Sequence, residues 1–391
     1  VMMWKHFGIF VFCGLLSLCQ GVLSGLSCDV SPRAMQSVLT DAIIEKGVLQ
    51  RHLQGMVVPN IMGNGGLLNS PTSITGLHLV KTGAPKLWVT VLPGMGVHVA
   101  ITTKLELRGN CLLGLVSDLL DILVDVTITA NIKCTNFESG TAQVITEDCL
   151  CILGAIKVKL LSGLLSISVN DLVLSQLKVT LPSLLCRVID IVMNLVSIQL
   201  LGTLNAVVAV GTSGTIHYHM ASIPVAADWS LRIDLNGEVK KVGGSIIPHD
   251  SSASALPADR MDKLMVLALP ESFLNSAVNL MVDIAPQTFR CTPQVFSGAT
   301  RLQEAITALT PSGCSSCRGN SPLSIKLTLA GNPLILLEDK KATLSLSVLI
   351  QIFTPGLDGS VLNVLLLKAD LALNVRVSIT AGRLVLSLSL G

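Results

Sequence analysis

Charge is scarce in this chain. Asp, Glu, Lys and Arg make up 13% of its 391 residues, about half the ~25% usual for soluble proteins. The signs are balanced as well. Between Cys28 and Thr215 twelve basic residues meet twelve acidic ones, and from Asn236 onward thirteen meet eleven. No basic stripe exists to follow a phosphate backbone, which argues against nucleic acid as a partner and against electrostatic capture by anionic membranes. Aromatics are 3%, so the 50% hydrophobic share is aliphatic. Such a chain builds a large core or encloses an apolar cavity, and composition does not separate the two.

Catalytic and metal-binding patterns are missing too. No G-x-S-x-G elbow, P-loop or paired-glycine fingerprint occurs. Cys314-x-x-Cys317 has no second pair to complete a four-ligand zinc site, and in a Gly/Ser loop it reads as disulfide material. His217 and His219 lie on one side of a strand without a third ligand, and read as a solvated face. The chain is therefore expected to be no enzyme and to carry no metal or cofactor.

What is present begins with a leader. A short positive start through Lys5 and His6 precedes the nearly uncharged run Phe7–Leu18 and then Cys19-Gln20-Gly21, the layout of a secretory signal peptide over residues 1–21. That run is shorter than the roughly 20 residues of a spanning helix. Leu112–Ile132, the best internal candidate for a transmembrane segment, carries Asp118, Asp121 and Asp125. Each costs about 2.5–3.5 kcal/mol near a bilayer centre, so no transmembrane segment is expected. Nine cysteines remain after the signal, and a secreted, extracellular chain permits disulfides. An odd count leaves one thiol unpaired or joined to another molecule. Cys111 and Cys134 flank one strand and are candidates for a pair, while Cys149 and Cys151 are alternative ends of one bridge. The pairing of Cys28, Cys111, Cys134, Cys151, Cys291, Cys314 and Cys317 stays open at this stage.

Period-two alternation dominates. Val97, Val99, Ile101, Thr103, Leu105 and Leu107 alternate with His98, Ala100, Thr102, Lys104 and Glu106, and a similar alternation recurs in Val124–Ile132, Ile156–Leu160, Ala342–Ile352, Leu371–Ile379 and Leu384–Leu390. These are long antiparallel strands with one wet face and one dry face. Helices are few. Ser31-Pro32 caps one whose apolar face is Met35, Val38, Leu39, Ala42 and Ile43. A second spans about 170–198, with Pro182 kinking or splitting it and Leu181, Leu184, Val188, Ile191 and Leu195 on its apolar side.

This order of parts resembles the bactericidal/permeability-increasing and lipopolysaccharide-binding protein family, and within it the long PLUNC branch of nasal, oral and olfactory secretions. The match is carried by Glu147-Asp148-Cys149, Leu184-Leu185-Cys186, the stretch from Gly214-Thr215-Ile216 to Leu231-Arg232-Ile233-Asp234-Leu235, and Leu267-Ala268-Leu269-Pro270-Glu271. The resemblance implies an α+β, elongated two-domain tubular lipid-binding fold, with curled antiparallel sheets, each with long helices, joined by a central sheet. It places an N-terminal barrel at 22–215, a proline-containing connector and central-sheet segment at 216–235, and a C-terminal barrel at 236–391. Family members continue past a hairpin like Leu371–Leu390, so the second barrel is expected to be incomplete. It also implies a disulfide between Cys149 and Cys186.

The function implied is a secreted carrier of phospholipid or a hydrophobic small molecule, odorants included, in mucosal secretions. The alternative is innate defence, recognising bacterial surfaces or lipopolysaccharide, which the neutral first half disfavours. Ligand-pocket candidates are Val97, Val99, Ile101, Val126, Ile128, Leu184, Val188 and Ile191.

Overall fold

The computed structural model describes residues 26–64, 70–138, 141–162, 167–210, 212–244, 246–247, 263–281, 286–294, 297–309, 323–355, 360–380 and 383–390. Residues 1–21, expected to be a signal peptide, and Cys314 and Cys317 lie outside them. The first part of the chain forms β1 (Leu26–Val30), α1 (Pro32–Leu39), a π-helical turn at Thr40–Glu45, α2 (Val48–Gln54), β2 (Ile61–Asn64), β3 (Pro71–Thr82), β4 (Lys86–Leu92), β5 (Gly96–Leu113), β6 (Val116–Glu138), β7 (Thr141–Leu160) and α3 (Ile167–Gly202). The middle forms β8 (Ala206–Val210), β9 (Gly214–Met220), β10 (Val225–Ala227), β11 (Ser230–Lys241), β12 (Ile246–Ile247), β13 (Met265–Ala268) and α4 (Glu271–Met281). The last part forms β14 (Gln287–Arg290), α5 (Ala299–Leu309), β15 (Ser324–Leu329), β16 (Leu334–Glu338), β17 (Lys341–Pro355), β18 (Val361–Thr380) and β19 (Arg383–Leu390). The architecture is α+β and mostly sheet.

Three antiparallel sheets result. The first runs β2-β3-β5-β6-β7, with β4 and β3 sharing one edge of the long β5. Alternation explains it: Val97, Val99, Ile101, Leu105 and Leu107 of β5 are buried, as are Leu120, Ile122, Val124, Val126, Ile128 and Ala130 of β6. The opposite face carries cross-strand ion pairs. Arg108 Nε donates to Asp121 Oδ1 at 2.7 Å, and Lys104 lies 3.7 Å from Asp125. The hydrogen bond from Arg108 holds the Asp121 carboxyl below the usual carboxylate range.

Helix α3 covers the dry side of this sheet. It is one continuous helix with Pro182 inside it, neither split nor confined to 170–198. Proline removes one backbone bond, and the buried stripe on both sides of it holds the helix to the sheet. That stripe is Val169, Val173, Leu177, Leu181, Leu185, Ile189, Val192, Met193 and Val196. Ile191 and Leu195, expected on the apolar side, are instead 45% and 43% exposed. The helix is apolar nearly all round, so periodicity leaves its inward stripe undetermined. By length and composition α3 would pass for a membrane span, but this stripe is spent on the sheet. Cys149 of β7 is bonded to Cys186 of α3, with Cα atoms 5.8 Å apart. Cys28 is disulfide-bonded as well. Cys111 and Cys134 are both free thiols. Cys111 faces Asp118 across the β5–β6 ladder, and Cys134 lies at the other end of β6, roughly 50 Å along the strand, too far for a bridge.

The central sheet runs β13-β1-β11-β9-β8, with β10 and β12 also on β11. It draws on the start, middle and second half of the chain, beyond the 216–235 stretch. Flanked on both sides, β1 is buried at all five residues, including Ser27 and Asp29. The third sheet runs β14-β15-β17-β18-β19, with β16 on β17. Helix α4 bridges the two: Phe273 is buried against the central sheet, while Asn275 Oδ1 accepts the backbone N–H of Ile335 in β16. Neither α4 nor α5 is marked as a helix by the sequence pattern read above.

Candidate functional site

An apolar cavity of about 280 Å³ opens where the first sheet meets the central sheet. Seven short stretches of chain build its walls. Helix α1 starts on Ser31, whose Oγ accepts the Ala34 N–H at 3.1 Å. The spacing of Met35, Val38 and Leu39 turns all three inward. From the far side come Leu200 and Leu201 at the end of α3, followed by Leu204. The base of the first sheet adds Val97, Ile132, Cys134 and Val144, and the central sheet adds Ala226, Leu231 and Ile233. Met95 and Val225 also line the cavity while being 58% and 51% exposed, so they stand at its mouth.

Three local features hold these walls in place. Gly96 has φ +122°, and a Cβ there would lie 2.3 Å from the Ile132 carbonyl oxygen. Only glycine lets the β4–β5 turn fold that tightly onto β6. The preceding Gly94 donates its N–H to Ala226 O at 3.0 Å, tying the turn to β10. At the end of α3, Tyr218 Oη donates to Thr203 O at 3.0 Å, so the chain's single tyrosine pins the helix terminus to the central sheet.

The lining offers little polar chemistry. Lys133 is ion-paired with Glu147 at 2.7 Å. Burial pushes the Cys134 thiol up to about 11, which keeps it protonated and unreactive. Among the described residues no group of three or more His, Cys, Asp or Glu is placed to hold a metal. His217 Nε2 contacts Thr215 Oγ1 at 3.0 Å, and His219 contacts Asn236. What this arrangement can do is hold an uncharged or single-tailed apolar molecule.

Of the pocket candidates from sequence, Val97 lines this cavity. Val99, Ile101, Val126 and Ile128 are buried in the core of the first sheet, where α3 also packs, and Val188 joins them. Leu184 packs at the edge of that core, and Ile191 faces outward. The alternation identifies the dry face of each strand, but not where along it the packing leaves a gap. Met35, Val38, Leu39, Leu200, Leu204 and Ile233 also line the cavity, and no local pattern marks them as cavity residues. The apolar face of α1 was legible, but its convergence with α3 depends on long-range pairing.

Comparison with known proteins gives a consistent picture. Residues 39–204 match the LBP / BPI / CETP family, N-terminal domain. The chain is 30% identical to human BPI fold-containing family B member 4 over 72% of its own length, and spans about half (47%) of that protein. It is 25% identical to mouse BPI fold-containing family B member 3 over its whole length, covering 85% of that relative. A crystal structure of lipopolysaccharide binding protein superposes with a TM-score of 0.62 at 17% identity, over 95% of this chain and 83% of the other.

Proposed function

The chain belongs to the LBP/BPI/CETP family, and on that premise we propose that it is a secreted extracellular carrier of lipid or another hydrophobic small molecule, held in the cavity between α1, α3 and the central sheet. Residues 1–21 then act as the secretory signal, 22–215 as the N-terminal barrel, 216–235 as the connector and 236–391 as the C-terminal barrel. The observation that carries the reading is the aliphatic lining with an open mouth. At about 280 Å³ the cavity lies just below the roughly 300–1,000 Å³ range of small-molecule sites. That size suits a short acyl segment of about nine or ten carbons or a volatile hydrophobic molecule such as an odorant. The neutral first half favours such cargo over anionic lipopolysaccharide. Function on this reading is equilibrium binding, with apolar burial supplying the affinity.

Native mass spectrometry of the gently purified protein tests the reading, with a co-purifying apolar ligand expected. Titration with saturated fatty alcohols of increasing length gives the finer check. Each methylene buried contributes about 0.8 kcal/mol, or roughly fourfold in Kd. The gain should level off near nine or ten carbons, because the cavity holds roughly that many groups of the ~30 Å³ size of a liquid water. Leu200→Trp should lower the length at which it levels off. Absence of any ligand, together with affinity indifferent to chain length and to Leu200→Trp, would overturn the proposal.

A further inference from the structure

The mouth of the cavity holds a side chain that oxidants can reach. Met95 sits in the β4–β5 turn between two glycines of positive φ, +71° at Gly94 and +122° at Gly96. The Met95 N–H donates to Leu92 O and the Gly94 N–H to Ala226 O, each at 3.0 Å. The backbone carrying Met95 is therefore tied to the first sheet and to β10, and its unbranched thioether chain keeps the freedom to move. That side chain lines the cavity and is also 58% exposed, so bound ligand and solvent both touch it.

Among the methionines whose side chains are described, Met95 combines these two properties. Met35 also lines the cavity but is 5% exposed, and Met56, Met193 and Met220 are buried. Met265 packs partly buried against the core from β13. Met62 is 71% exposed, but it lies on β2 opposite Ser73, which pairs with Leu112 at the end of β5 farthest from the cavity.

We propose that Met95 is an oxidation site through which a peroxide loosens the cavity's hold on its apolar ligand, a regulation that rests on the carrier reading. The Sδ lone pair attacks one oxygen of hydrogen peroxide or an alkyl hydroperoxide, and the O–O bond breaks as the S–O bond forms. Sulfur is oxidised by two electrons and the peroxide is reduced, its second oxygen leaving as water or alcohol. The apolar thioether becomes a polar sulfoxide. At this mouth the new oxygen lacks a ready donor. Lys133 is the charged residue of the lining, and its ammonium already engages Glu147 at 2.7 Å. The neighbouring wall is Pro224, Val225 and Ala226. Turned inward, the oxygen meets ligand and aliphatic side chains without a hydrogen bond; turned outward to water, it takes the apolar cover off the mouth. Either position weakens retention of the ligand.

The experiment treats the full chain with dilute hydrogen peroxide, maps sulfoxide by peptide mass spectrometry and titrates decanol before and after. Met62 and Met95 should gain oxygen first. The Kd for decanol should then rise about fivefold or more, as expected of a polar group left unpaired against apolar atoms. Met62→Leu, outside the cavity, should bind as the unaltered chain does and keep the whole response to peroxide. Met95→Leu, whatever its starting Kd, should show the same value before and after treatment. Oxidation of Met95 with no change in Kd overturns the proposal. So does a response that survives in Met95→Leu, or a Met95 that resists peroxide while Met35 or Met56 reacts. An untreated chain that binds no decanol removes the carrier reading and takes this proposal with it, whereas decanol binding that the sulfoxide leaves unmoved removes this proposal alone.

Discussion

Cys111, Cys134 and Cys151 are three thiols inside the protein that bond to no other cysteine. Burial pushes Cys134 and Cys151 up to about 11, while burial and then the charge of Asp118 raise Cys111. Because only the thiolate reacts, Cys134 in the native protein should resist iodoacetamide at pH 8 and react once the chain is unfolded. Peptide mass spectrometry reads both states, and rapid native alkylation would mean that the cavity wall is open there. The same shift has a stability consequence. The folded state keeps these protons at a pH where the unfolded chain, with an ordinary thiol value of 9.0, has released them. Stability therefore falls as pH rises from about 9 toward 11, and Cys134→Ala should flatten that fall.

Among the elements, α3 tests the inward stripe directly. Leu181 is fully buried, whereas Ile191 is 45% exposed. Leu181→Ala should cost about 2–5 kcal/mol through lost burial and a residual cavity. Ile191→Ser should stay within about 0.5 kcal/mol, as surface changes do. Urea unfolding with an unchanged slope measures both, and the reverse order would rotate the helix back to the face expected from its sequence. The strands pose no such ambiguity. In β5 and β6 a polar residue separates most pairs of inward ones, Ala100 and Leu123 being the exceptions, so the alternation itself marks the dry face. In α3 leucine, isoleucine and valine occur on every side, and only the sheet beneath selects which of them are covered.

On the scale of the whole molecule, the core is unevenly shared. One continuous cluster joins the first sheet, α3, the central sheet and Phe273, Ala277 and Leu280 of α4. In the third sheet the described buried residues form two small groups, one around Ile325 and Ile352 and the other around Ile335 and Leu344, and Leu366, Leu367 and Leu371 of β18 are exposed. Regions with few buried contacts open at lower free energy. Hydrogen exchange should therefore be slowest in the amides of β5, β6 and β11 and distinctly faster in β17 and β18. Uniform protection across all three sheets would show that the third is stabilised by more than its visible core.

The residue order alone determined a good deal about this protein. Alternation prescribed long two-faced strands, Ser31-Pro32 started α1, and the scarcity and balance of charge pointed to apolar cargo rather than polyanions. These are local or compositional properties, available to any stretch of chain before it folds. The cavity was not among them. Val97, one turn of α1, the end of α3 and two strands of the central sheet come together only because β5 pairs with β6 from Val97 to Leu113 and β1 inserts between β11 and β13. A cavity is the space that packed side chains fail to fill. Its position depends on distances between elements far apart in sequence, and tertiary structure alone decided those.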